Sequence, residues 1–63
     1  MNLCDYYVEE VLSDISLQQG QGMSWYEVEV SFYYDNDELK TCKLTSIDMG
    51  KLTEVAKGYK FQR

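Results

Sequence analysis

Two hydrophobic periods divide this chain. Cys4, Val8, Val11, Leu12 and Ile15 recur at the three-and-four spacing of a helical stripe, with Asp5, Glu9, Glu10 and Asp14 on the opposite side. That spacing predicts an amphipathic helix over residues 3–17. Asn2 is its N-cap, with Asp5 three residues on, and Gln18-Gln19-Gly20-Gln21-Gly22 is its stop. Early acids suit the positive end of a helix dipole. From residue 24 to residue 34 the period becomes two. Tyr26, Val28, Val30, Phe32 and Tyr34 share one face, and Trp25, Glu27, Glu29, Ser31 and Tyr33 share the other. This is a strand, and the first set is the expected core.

Asp35-Asn36-Asp37 reads as a three-residue hairpin turn, because Asn and Asp tolerate the left-handed backbone such loops need. A second strand follows over 38–45. The loop length sets the register: Val30 meets Cys42 and Val28 meets Leu44 inside, while Glu29 meets Lys43 and Tyr33 lies beside Leu39 outside. A four-residue loop would set Lys43 against Val30 and turn Cys42 and Leu44 to solvent, which rejects it. Thr45 or Ser46 caps a short second helix, with Asp48 in its first turn, Met49, Leu52, Val55 and Ala56 on its stripe, and Gly58 just past its end. Residues 59–63 alternate apolar and polar, as an edge strand or a tail would. The expected fold is a single α+β domain over residues 1–63, of αββα order: an N-terminal amphipathic helix packed on an antiparallel β-hairpin, then a short C-terminal helix and edge strand.

Length limits the core. A chain of 63 residues buries only about 60% of the surface it exposes when unfolded. A homodimer or a complex would supplement so small a core. Nine aromatics and a 44% hydrophobic fraction nevertheless favour folding over disorder. The start of the chain is acidic and lacks a basic leader region, and no apolar run approaches the roughly 18 residues of a membrane span. A cytoplasmic protein with no membrane partner is expected. Cys4 and Cys42 have no zinc or redox spacing, so both are expected to be small buried hydrophobes rather than a disulfide.

Enzymatic chemistry finds little support. Histidine is absent, which removes the commonest general acid-base and a frequent zinc ligand. Glu27 and Glu29 could pair as catalytic carboxylates, but neighbouring acids on an outward strand face are ordinarily solvated surface. Gly20-Gln21-Gly22 lacks the third glycine, preceding strand and basic residue of a phosphate loop and reads as a connector. Asp35, Asn36, Asp37 and Glu38 crowd oxygen donors without the spacing of a calcium loop. No catalytic residue, cofactor or metal is expected.

Charge adds the sharpest clue. All six basic residues follow Leu39, whereas nine of eleven acids precede it, so the first 39 residues carry −9 and the remainder +4. One reading has Lys40, Lys43, Lys51, Lys57, Lys60 and Arg63 neutralising the acidic part within the fold, and a net charge of −5 disfavours direct nucleic-acid binding. The converse reading makes the acids an imitation of nucleic acid. On a helix, Asp5 with Glu9 and Glu10 with Asp14 are i,i+4 like-charge pairs that cost stability and so suggest a use. Glu27, Glu29, Asp35, Asp37 and Glu38 extend the acidic surface along the hairpin, with Trp25, Tyr33 or Tyr6 as aromatic anchors.

In size, acidity and lack of catalytic residues the chain resembles the tiny acidic proteins with which phages and mobile elements block host nucleases, restriction enzymes, CRISPR effectors or polymerases. The resemblance implies a stoichiometric inhibitor bound in a partner's basic groove. The partner-binding set is then Asp5, Glu9, Glu10, Asp14, Trp25, Glu27, Glu29, Tyr33, Asp35, Asp37 and Glu38. The alternative is a small adaptor or regulatory subunit, homodimeric or not, that binds through an aromatic patch or an exposed hairpin edge.

Overall fold

The strand predicted from the period of two is the centre of the molecule. The computed structural model describes residues 3–35 and 37–63, and in it every other strand but the last lies beside that one. In chain order the elements are β1 (Asp5–Val11), β2 (Ser16–Gly20), β3 (Met23–Tyr34), β4 (Glu38–Ser46), α1 (Met49–Leu52) and β5 (Lys60–Gln62). All strand pairs are antiparallel. β4 runs along one edge of β3, β2 and β1 share its other edge, and β5 adds to the far side of β1.

The N-terminal helix is absent, and the expected α+β fold of αββα order gives way to a mostly antiparallel β-sheet. Residues 5–20 form instead one long, twice-broken strand antiparallel to β3. The first break is a bulge between Val8 and Glu10, because Val8 pairs with Phe32 and Glu10 with Ser31. The second is at residues 13–15. Leu12 N–H donates to the Glu29 carbonyl (2.7 Å), yet Ser16 already pairs with Glu27, so the first segment advances four residues while β3 advances two. Within this break the Ser13 hydroxyl accepts the Glu29 N–H at 2.9 Å, which keeps that backbone group satisfied. By register Tyr6, Val8, Val11, Ile15 and Leu17 fall on the core side of the sheet, with Val11 and Leu17 exposed at its margin. Two of their intervals are three and four residues, the spacing of a helix produced by bulges in a strand. The proposed cap at Asn2 lies outside the described residues.

Gln18-Gln19-Gly20-Gln21-Gly22 is no helix stop either. Gly20 pairs with Met23, and Gln21 (φ 51°) and Gly22 (φ 75°) both have positive φ, the signature of a two-residue type I′ hairpin turn. Space around Gly22 would admit a Cβ, so the cost of a side chain there is purely conformational. Gly22→Ala is expected to destabilise by about 1–2 kcal/mol, and Gln21→Asn to stabilise slightly, since Asn-Gly suits this turn best. Parallel thermal melts will show the two changes moving Tm in opposite directions.

The second hairpin follows the sequence closely. β3 and β4 pair Val30 with Cys42, Val28 with Leu44, Glu29 with Lys43, Tyr33 with Leu39 and Tyr34 with Glu38, which leaves residues 35–37 as the loop. Asp35 adopts φ 45°, and Asn36 lies outside the described residues. The short helix is a single turn capped by Asp48, whose Oδ1 accepts the Gly50 N–H at 2.9 Å, and not by Thr45 or Ser46. Val55 and Ala56 fall beyond it, between turns at residues 53–54 and 57–58. Residues 60–62 are the edge strand that the alternation suggested, tied to β1 at Asp5, Tyr6 and Tyr7.

The core lies on one face of the sheet. Val8, Val28, Val30, Phe32 and Cys42 point inward, and Leu52 of α1 covers them. Tyr6, Ile15, Tyr26, Tyr34, Leu44, Val55, Tyr59 and Phe61 complete the layer. Phe32 meets Phe61 edge-on with ring centroids 5.3 Å apart, and Tyr6 packs on Phe32, Tyr34 and Phe61. The two cysteines part company: Cys42 is buried, Cys4 is exposed, and both are free thiols. In the native protein a thiol reagent is expected to label Cys4 within minutes and Cys42 only after denaturant, and equal labelling of both would contradict this packing. The radius of gyration, 12.3 Å, exceeds the about 10.6 Å of a compact domain this long. Much of the sheet is consequently left as surface.

Candidate functional site

The outer face of the sheet carries the polar half of the β3 alternation. Rows run across the strands. Tyr33 pairs with Leu39 of β4, and continuing the Val8–Phe32 pairing by one residue sets Tyr7 of β1 level with them. All three are about half exposed or more, at 50%, 55% and 58%. The next row is Glu10, Ser31 and Thr41, then Glu29 with Lys43, then Ser16, Glu27 and Thr45. Gln18 and Trp25 form the last.

Each β3 side chain in these rows has a definite setting. The Trp25 indole N–H donates to Glu27 Oε1 at 3.1 Å, and Lys43 Nζ lies 3.8 Å from Glu27 Oε2. The indole lies over Gly20, where a Cβ would come within 3.3 Å of the ring. Trp25 is thus half-buried and tethered, while Tyr33 is free to meet a partner. Ser13, Ser16, Gln18, Glu27, Glu29 and Lys43 rim a shallow depression of about 200 Å³. Among the described residues of β2, β3, β4 and Glu10, three outward carboxylates share one cation, Lys43.

Other acids are placed elsewhere. Asp5 accepts a hydrogen bond from Gln62 Nε2 at 3.0 Å. The stacking of Tyr6 on Tyr34 sets it at the end of the sheet where Asp35, Asp37 and Glu38 make the hairpin turn. Glu9 lies in the bulge, 3.4 Å from Lys57 Nζ, and Asp14 is exposed in the second break. The i,i+4 rows that a helix would have made do not exist. Of the expected set the fold unites Glu10, Glu27, Glu29, Trp25 and Tyr33 on one face, and Asp5, Asp35, Asp37 and Glu38 at one end. Tyr6 is withdrawn into the core. There burial, and after it Cys4, Tyr34 and Asp35, raise its phenol above the ordinary value of 10.0 and keep it protonated.

Charge sorted along the chain is partly re-mixed in space. Glu9–Lys57, Glu27–Lys43 and Glu38–Lys40 each join an acid from before Leu39 to a lysine from after it. Each has its lysine open to solvent, and such pairs contribute about 0–1 kcal/mol, so they trim the negative field more than they hold the fold. Among the described residues Glu10, Asp14, Glu29, Asp35 and Asp37 make no salt bridge. No three His, Cys, Asp or Glu side chains among the described residues converge as a metal site would require, and no helix is long and apolar enough to cross a membrane. Tyr7 is a site residue that the helical reading hid, whereas Leu39 stands beside Tyr33 as the hairpin register implied. Once residues 5–8 are read as a strand, the alternation that buries Tyr6 and Val8 exposes Tyr7.

No protein-family model matches the chain, and no curated protein and no solved structure matches it.

Proposed function

We propose that the protein is a non-enzymatic inhibitor that binds a nucleic-acid-binding host protein stoichiometrically, setting the outer face of its sheet in a basic groove as a mimic of DNA or RNA. The observation that supports this reading is the gathering of Glu10, Glu27 and Glu29 on one face, with Lys43 beside them and Lys60 at the far row next to Tyr7. Glu27 and Glu29 project from the same strand about 6.6 Å apart, a row of like charge such as phosphates make along a nucleic-acid strand. Opposed potentials would speed association, and Tyr33 would anchor the complex. A cytoplasmic nuclease, restriction enzyme, CRISPR effector or polymerase has the groove this surface needs.

One observation favours a second reading. The exposed Tyr7–Tyr33–Leu39 row is an apolar surface suited to an adaptor or regulatory subunit, for which acidity is incidental. Capture from a bacterial lysate with the tagged protein separates the two. Under mimicry, competitor duplex DNA and raised salt both release the partner, because both compete for its basic groove. A partner indifferent to both would overturn mimicry in favour of the adaptor.

A further inference from the structure

The opposite side of the molecule offers a second surface, independent of mimicry, that carries further the exposed hairpin edge of the adaptor alternative. β4 hydrogen-bonds to β3 alone among the described residues, and β5 to β1 alone, so each leaves an open edge. Between these two strands lies a cleft of about 300 Å³ lined by Leu44 of β4, Lys51 and Leu52 of α1, Val55, Tyr59 and Phe61. An open edge offers a row of backbone donors and acceptors that an extended chain satisfies. The cleft beside the same strand offers an apolar seat for one of that chain's side chains.

We infer that β4 receives an extended segment of a protein partner by strand addition, with a bulky aliphatic or aromatic side chain entering the cleft and an acidic residue beside it. Main-chain pairing supplies affinity in this mode, and the pocket supplies specificity. The acidic neighbour follows from charge. Among the described residues Lys51, which is exposed, is the one charged residue that lines the cleft. Neither Asp48, whose carboxylate accepts the Gly50 N–H, nor Glu54 lines the cleft. A segment rich in lysine or arginine therefore suits the outer face and not this edge.

The test is selection of a random heptapeptide display library against the immobilised full chain. Selected peptides are then titrated into isotope-labelled protein and followed by NMR. The expected result is enrichment of sequences pairing a bulky apolar residue with Asp or Glu, and shifts confined to residues 41–46 and 51–61. N-methylation of alternate peptide amides should abolish binding for one of the two alternating sets and spare it for the other. Lys51→Glu, at an exposed position that leaves the core intact, should weaken binding of the acidic peptides about tenfold and leave Gln-substituted versions unchanged. Three results would overturn the inference: no enrichment, enrichment only of basic peptides whose shifts fall on Glu10, Glu27 and Glu29, or a β4 edge already protected by self-association of the peptide-free protein. The second of these would leave the acidic-face proposal standing, so the two fail separately.

Discussion

Phe32→Ala is expected to leave the chain largely unfolded at room temperature. Phe32 is 2% exposed at the middle of the inner face and touches both Tyr6 and Phe61 through ring contacts. It therefore ties β3 to β1 and β5 at once. Truncating a buried Phe costs about 3–5 kcal/mol. A domain of this length has only about 3–9 kcal/mol to lose, and the six buried apolar side chains among the described residues cannot relax far into the gap. Tyr33→Ala, one residue on and outward, is the control and should change stability by about 0.5 kcal/mol or less. Urea titrations followed by circular dichroism decide it. A cooperative transition in Phe32→Ala, with a loss below about 1 kcal/mol, would show that the core is not organised around this ring.

That experiment probes the part of the fold most legible in the sequence. β3 shows an unbroken period of two over its whole length, so Tyr26, Val28, Val30, Phe32 and Tyr34 declare one face, and the loop length then fixes Cys42 and Leu44 opposite them. Nothing interrupts either strand of this hairpin, and local pattern and tertiary structure agree. The N-terminal segment was illegible for the opposite reason. Its partner β3 keeps strict alternation, but a bulge at Glu9 and an excursion at residues 13–15 insert extra residues between Val8, Val11 and Ile15. Three inward residues so spaced are indistinguishable by period from a helical stripe. The β2–β3 turn could have betrayed the strand. A Gln-Gly pair between Gly20 and Met23 is a weaker hairpin signal than Asn-Gly, yet it makes the same turn.

The same two breaks moved the candidate site. Read as a helix, residues 5–14 present two rows of acids and a peripheral Tyr6. As a bulged strand, they send Tyr6 inward and Tyr7 and Glu10 outward, and set Glu9 beside Lys57. Trp25, Glu27, Glu29 and Tyr33 kept their outward face because they belong to the strand whose register was secure. The placement of Lys43 between Glu27 and Glu29 followed from that register as well.

Substituting Glu10, Glu27 and Glu29 together with Gln is expected to reduce affinity for the captured partner by about one to two orders of magnitude at low salt, with the fold unchanged. Isosteric amides preserve side-chain volume, and the Glu27→Gln change retains an oxygen that can accept from the Trp25 indole. The lost contact with Lys43 is a long pair, 3.8 Å, whose lysine is exposed and whose Glu27 is largely covered, worth about 1 kcal/mol. Removing neighbouring like charges offsets part of even that. Any fall in binding then reports the charge of the face. Asp35→Asn with Asp37→Asn is the positional control, because it removes charge at the end of the sheet and none from the face. Binding assayed across a salt series gives the deciding slope. The parent protein should lose affinity steeply with salt, and the triple variant should start weak and change little. If the triple variant binds like the parent at every salt concentration, the acids are incidental. Truncation of Tyr33 and Leu39 would then be what releases the partner.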